Sequence, residues 1–394
     1  MKKTQRISII FLIAVLLTIA GFYITRIVLN KDYDTNKTAS VPVFKNIRNE
    51  NALYDLYISA SGNLMYLQVD KIQNNKIDYN IIGFNKLKDK NKYVGDLAVS
   101  KDNSIFCVLT SFSSVEHGRK VLNFDKGKLK KEISLNKSTP NDVIISDAEK
   151  GFSYISYKPA IKSAFPNGTP FSIFSEKDSK EIEKKLFVKG MVQGYDMNDN
   201  YMYINVIGAK KSMYNDVPDS YVLKVDRDNL SSEVLVDNKD TNIVDIKLNS
   251  RKNIYLLSNG YYSNGELINK SMLMVYDNNG KYIKKIKLDC WGSDLVIDDN
   301  DIAYISSRDK NGFWDQKGEI ITVVDTKNDQ VIDQLLGFSG PTNMFMKDSY
   351  IFVADTSNNA IQVIDTNIKK VIGKIDLGKI DYYPQKVVVI KNKN

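Results

Sequence analysis

The sequence predicts an all-β chain, a seven-bladed β-propeller (with a partial extra strand set at the closure as an open option) preceded by one transmembrane helix. Three observations carry that prediction. Two residue markers each recur seven times along the chain, no segment beyond the N-terminus keeps a 3.6-residue apolar period, and the N-terminus holds one long apolar run behind positive charge. Composition agrees: the 394 residues are 43% hydrophobic, with 23 Tyr against 8 Pro, and richness in Tyr, Ile, Val and Asn favours strands and tight turns.

Taken in chain order, Lys2, Lys3 and Arg6 form a basic tail at residues 1–6. The apolar run from Ile7 to Thr25 follows, within a signal-anchor expected over residues 7–29. Its 19 residues would rise about 28 Å as a helix, close to the hydrocarbon thickness of a bilayer. Positive charge before the run keeps the N-terminus cytoplasmic and sends the rest outside. Thr18-Ile19-Ala20 is a weak cleavage signal, and cleavage there would make the protein secreted. Residues 30–50 read as a polar tether, with Val41 to Ile47 a candidate strand for closing the ring, and residues 51–394 as the propeller.

The first marker is an aromatic inside an apolar run: Tyr66, Phe106, Tyr154, Tyr203, Tyr255, Tyr304 and Phe352, with gaps of 40, 48, 49, 52, 49 and 48 residues. The second is a polar residue ending another run: Asn85, Asp125, Ser175, Asp226, Asp277, Asp325 and Asp365. Each unit then reads as four short strands, the aromatic lying in the second and the polar residue ending the third. In unit five these are Val244 to Ile246, Asn253 to Leu257, Met272 to Tyr276 and Tyr282 to Leu288, with Asp277-Asn278-Asn279-Gly280 as a hairpin turn. Val387 to Ile390 looks like an additional innermost strand, which either completes a blade with N-terminal strands or begins an extra one.

Residues 351 to 378, IFVADTSNNAIQVIDTNIKKVIGKIDLG, resemble the repeat of the YVTN-type β-propeller family. Unit six repeats the pattern in Val323-Val324-Asp325-Thr326 and Val331 to Gly337, while Asp355 stands where that family has Asn, and units one to five are degenerate. The resemblance implies seven blades. It implies little about activity, because one fold hosts many.

Several kinds of chemistry find no support in the sequence. The net charge of +8 is spread through interleaved Lys, Asp and Asn, without a nucleic-acid-binding motif. Cys107 and Cys290, far apart, form neither a zinc pattern nor a disulfide framework, and no lipid-attachment cysteine follows the apolar run. His117, the single histidine, sits in a polar stretch and reads as solvated. The cluster Asp298, Asp299 and Asp301 could draw calcium but lies at a predicted turn, and the recurrent Asp of the second marker reads as turn-stabilising. No catalytic residue, metal or cofactor is therefore expected. The seven aromatics read as core between blades.

What varies between units is the loop joining the second and third strands. It is short in unit seven, Asp355 to Ala360, and long in units three to six: Lys158 to Pro170, Gly208 to Ser220, Ser258 to Ser271 and Ser307 to Glu319. Phe165, Tyr214, Tyr261, Tyr262, Phe313 and Trp314 fall in these loops, and Trp291 on a connection between blades. Exposed aromatics at loop tips are typical binding anchors. The expected role is a membrane-anchored, cell-surface module of a Gram-positive bacterium that binds a protein or, second, a wall polymer through this face. The alternative is an enzyme or redox-accessory propeller working at the central channel, which converging carboxylates or a bound metal there would favour.

Overall fold

A computed structural model of the chain describes residues 46–394 except 74, 86–91, 112–119, 135–139, 158–168, 179, 181, 183–185, 209–219, 239–240, 260, 264–265, 269–270, 311–316, 379–382 and 393–394. The expected anchor over residues 7–29 lies outside the described residues, among which no helix is long and apolar enough to cross a membrane.

Seven antiparallel sheets follow one another, each running from an innermost to an outermost strand. Blade two is Lys92–Val99, Ile105–Ser111, Lys120–Asp125 and Lys128–Ser134. Blades four (Gly190–Met197 to Ser232–Asn238), five (Asn242–Leu248 to Tyr282–Lys287), six (Trp291–Ile297 to Gln330–Leu336) and seven (Pro341–Lys347 to Lys370–Asp376) repeat that order. Second strands such as Ile254–Asn259 are buried on both sides, because each lies between two neighbouring blades. Outer strands such as Tyr282–Lys287 are largely exposed and rich in lysine, with only Ile286 buried.

Blade three is less regular. Pro140–Asp147, Phe152–Tyr157 and Ser172–Ser175 form its ladder. The outer position is held by single backbone bonds from Ser175 N to Lys180 O, Ile182 N to Ile173 O and Phe171 N to Leu186 O. A buried ion pair strengthens this side. Arg227 of blade four donates to Asp147 through Nε at 2.8 Å and Nη2 at 2.5 Å, and through Nη1 to the carbonyls of Asn198 and Asp199.

Blade one closes the ring from both chain ends. The C-terminal strand Pro384–Lys391 is its innermost member and pairs with Tyr54–Ala60, which Asn63–Gln73 and Lys76–Asn85 follow outward. Val387 to Ile390 thus completes a blade with N-terminal strands, and its partner is Tyr54–Ala60. Of the candidate Val41 to Ile47, only Asn46 and Ile47 are described, and neither is in a strand.

This closure corrects one assignment. Phe106, Tyr154, Tyr203, Tyr255, Tyr304 and Phe352 all lie in second strands, but Tyr66 lies in the third strand of blade one. The residue in the equivalent place is Tyr57, directly opposite Tyr66, with the two rings stacked at 4.8 Å. The physical reason is that the N-terminal segment supplies three strands only, so its marker reads one strand late. The spacing carried the hint: Tyr66 to Phe106 is 40 residues, whereas Tyr57 to Phe106 is 49. The same offset moves Asn85 to the end of the fourth strand.

All seven marker aromatics are buried, Tyr66 included, and serve as packing between blades. The second marker works as the turn chemistry demands: Asp226, Asp277, Asp325 and Asp365 each accept backbone N–H groups from the hairpin that follows.

Candidate functional site

The innermost strands face a central channel and have no further strand to pair with on that side, so their outward N–H groups need other acceptors. Aspartates supply them. Within each inner strand, the residue two before the partner of the marker aromatic forms one level around the channel. Blades two, five and six place Asp96, Asp245 and Asp294 there, and blades seven and one place Asn343 and Lys386. Blades three and four contribute Val143 and Gly194. A side chain on Gly194 would collide with the Asp245 carboxylate, so the glycine makes room for it.

Each acid ties its blade to the next. Asp96 Oδ2 accepts Ile144 N at 3.0 Å, Asp245 Oδ2 accepts Leu295 N at 3.0 Å, and Asp294 Oδ2 accepts Met344 N at 2.6 Å and Asn343 Nδ2 at 3.0 Å. Asn343 Oδ1 continues the pattern by accepting Val387 N at 3.0 Å. Blade four makes the same link two residues further along its strand, where Asp196 Oδ2 accepts Leu248 N at 2.7 Å.

Two lysines answer part of this negative charge. Lys386 Nζ lies 3.5 Å from Asp96 Oδ1, and Lys247 Nζ donates to Asp245 Oδ1 at 3.1 Å and to the Tyr195 carbonyl at 3.2 Å. Asp96 in turn holds the Lys386 ammonium well above the ordinary lysine range, more than offsetting its burial. Burial raises the Asp196 carboxyl. Burial first, and then the charge of Asp245, push Asp294 up to about 7. Among the described residues, no lysine or arginine stands within ion-pairing distance of Asp294.

Beside these groups lies a cavity of about 770 Å³. It runs to the turns between first and second strands of blades four to six, where Asn198, Ser250 and Asp298 line it. Among the described residues six aspartates and three lysines border it, an acidic lining in a chain of net charge +8. Asp298 and Asp301 serve the turn: Asp298 Oδ1 accepts the N–H groups of Asn300 and Ile302, and Asp301 accepts Ser250 N and Oγ from blade five. Among the described residues, no three or more His, Cys, Asp or Glu are placed to hold a metal ion.

The expected binding aromatics are located less fully. Phe165, Tyr214, Phe313 and Trp314, together with His117, lie outside the described residues. Tyr261 and Tyr262 belong to Tyr261–Ser263, which pairs with Glu266–Ile268 in a small hairpin inside the blade-five connection. Trp291 opens the innermost strand of blade six, half-buried, with its backbone N–H donating to Ser307 Oγ at 3.2 Å. The channel charges were missed, although a signal existed: Asp245, Asp294 and Asn343 interrupt apolar runs at intervals of 49 residues.

No protein-family model matches the chain, and no curated protein sequence does either. Solved structures do. A candidate 6-phosphogluconolactonase of Bacteroides fragilis aligns at 13% identity and a TM-score of 0.56, over 88% of this chain and 100% of that one. Hydrazine synthase of Kuenenia stuttgartiensis aligns at 14% and 0.55, over 77% and 97%, and AztD of Citrobacter koseri at 12% and 0.53, over 86% and 98%. At these identities the likeness shows the propeller fold alone.

Proposed function

We propose that the chain is a YVTN-type propeller, held in a Gram-positive cell membrane by residues 7–29 with its ring outside, which binds a protein partner without catalysis. The partner docks on the face where second strands pass to third strands. One observation carries this reading. The passage is extended in five consecutive blades, between Ser111 and Lys120, Tyr157 and Ser172, Gly208 and Ser220, Asn259 and Met272, and Asp309 and Ile320. In blades seven and one it is a tight turn, Asp355 to Ala360 and Ala60 to Asn63. A blade therefore closes without the extension. Ordering long loops costs conformational entropy that a bound partner offsets.

The test is the double substitution Phe313→Ala/Trp314→Ala in the full chain. Loss of a buried anchor costs on the order of 2 kcal/mol of binding, about thirtyfold in affinity. Crosslinking on intact, wall-stripped cells should recover a protein partner with the parent chain and lose it with the variant, at unchanged melting temperature. Earlier unfolding with normal binding would make these aromatics core and sink the reading. Recovery of wall polymer alone would replace the protein partner. External protease should shave the ring from the same cells, and full protection would remove the anchored topology.

A second reading, an enzyme or redox accessory at the channel, is favoured by the gathering of Asp96, Asp196, Asp245 and Asp294 there. Each of these already accepts a backbone N–H of the next blade. Carboxylates fixed in that way suit charge placement better than proton transfer, so binding stands first.

A further inference from the structure

We propose that the seam between blades six and seven is a proton-operated joint, held tight when Asp298 carries a proton and loosened when it is charged. The joint lies at the turns between first and second strands, the face opposite the long connections, and so does not depend on the partner-binding reading.

Two other seams show how this position is satisfied. There the residue at the turn after the first strand meets the residue that follows the third strand of the next blade. Between blades three and four these are Asp147 and Arg227, an acid bonded by Nε and Nη2 of one guanidinium. Between blades five and six they are Asn249 and Thr326, with the amide Nδ2 directed at the threonine Oγ1 at 3.5 Å. Blades six and seven combine the acid of the first seam with the threonine of the second. Asp298 Oδ1 accepts Asn300 N and Ile302 N just as Asn249 Oδ1 accepts Arg251 N and Asn253 N, so Asp298 Oδ2 takes the place of the Asn249 amide nitrogen. Thr366 donates N and Oγ1 to the Ser349 carbonyl as Thr326 donates both to that of Asp301.

This combination leaves a donor missing. The Thr366 hydroxyl proton is committed to Ser349, so only an acceptor is left toward blade six. Asp298 is buried and its Oδ2 has no hydrogen-bond partner. A protonated Asp298 gains the donor that Asn249 has, whereas a charged one is a buried anion without the arginine that Asp147 has. The same seam leaves a second group unmet. The Tyr255 hydroxyl bonds Thr326 O at 2.8 Å and Asp329 Oδ1 at 2.6 Å across the seam of blades five and six. Tyr304 holds the same place in blade six, but its buried hydroxyl has no partner, and Lys369 stands where Asp329 stands.

The charges around the joint agree in sign. Burial raises the Asp298 carboxyl, and Asp299 adds to this, against the N–H groups of Ile302 and Asn300 and the charge of Lys369. On the blade-seven side Asp365 also faces Tyr304. A carboxyl raised in the folded state gives stability that is complete below the ordinary carboxylate range and is lost as pH rises through its raised value.

The test is hydrogen exchange of the full chain at pH 5 and pH 8, read as protection over residues 366–370. Protection should fall about tenfold from the lower pH to the higher. Asp298→Asn supplies the donor found at Asn249 and should hold the high protection at both. Thr366→Arg supplies the partner found at Arg227 and should do the same, because the pair stays charged throughout this range. Asp294→Asn, which removes the raised carboxyl at the channel level, should keep the fall. Where Asp298→Asn or Thr366→Arg fails to fold, the other variant and the profile of the parent chain still decide. Equal protection of the parent at both pH values, an undiminished fall in Asp298→Asn or Thr366→Arg, or loss of the fall in Asp294→Asn would each overturn the proposal.

Discussion

Blade seven and blade one have the same four-stranded sheet and differ in how the chain supplies it. Blade seven is continuous from Pro341 to Asp376, whereas blade one takes its innermost strand from Pro384–Lys391 and the other three from Tyr54–Asn85. The seam between them is dense. Tyr54 packs edge-on against Phe352 at 5.5 Å and its hydroxyl donates to Asp348 Oδ2 at 2.7 Å. Blade one therefore has no covalent link between its first and second strands, and only ladder bonds and packing close the ring. The difference teaches that ring closure here is a tertiary event, costing loop entropy that no local turn reduces.

Deleting residues 384–394 should have the largest effect. It removes the inner strand of blade one and exposes Leu56 and Ile58, so the single cooperative unfolding transition should be lost or fall by more than about 10 °C in calorimetry. A sharp transition at the parental temperature would mean that blade one stands without closure.

The next prediction exchanges one seam for another. Asp294 joins blade six to seven through a carboxylate, while Asn343 joins seven to one through a neutral amide at the equivalent position. A carboxyl raised in the folded state gives stability that is complete below the ordinary carboxylate range and is lost as pH rises through about 7. Asp294→Asn keeps an acceptor for Met344 N and removes that loss. Urea unfolding should show it more stable than the parent by about 2 kcal/mol at pH 8 and equal to it near pH 4. Equal stability at both pH values would mean that the Asp294 charge is not strained.

The smallest effect separates Tyr57 from the phenylalanine at the matching place in blade seven. The Tyr57 hydroxyl accepts Gly127 N at 2.9 Å from blade two, a bond that Phe352 cannot make. Tyr57→Phe should lower stability by about 1 kcal/mol in denaturant unfolding, because it leaves a backbone donor unpaired. No change would assign Tyr57 to packing alone.

The repeat was legible because blade packing imposes it residue by residue. An aromatic had to fill each interface and an aspartate holds the hairpin in blades four to seven, so Tyr255, Tyr304, Asp277 and Asp325 could be placed from spacing. Tyr66 was misplaced because a one-dimensional count cannot know that the first blade borrows a strand from residues 384–391. Asp245, Asp294 and Lys386 were overlooked for a related reason. Each is a charge set within a largely apolar strand, and only the ring turns those separate positions into one level around the channel.

By itself, the sequence determined the all-β class, the number of blades, the turn residues and the buried aromatics, since these follow from local period and from contacts between adjacent strands. Tertiary structure alone decided which strand closes the ring, which aromatic of blade one is equivalent to the others, and that charges from blades one, two, four, five and six meet in one channel. Those outcomes depend on residues far apart in the chain becoming neighbours, and a repeat read along a line carries no information about where its two ends meet.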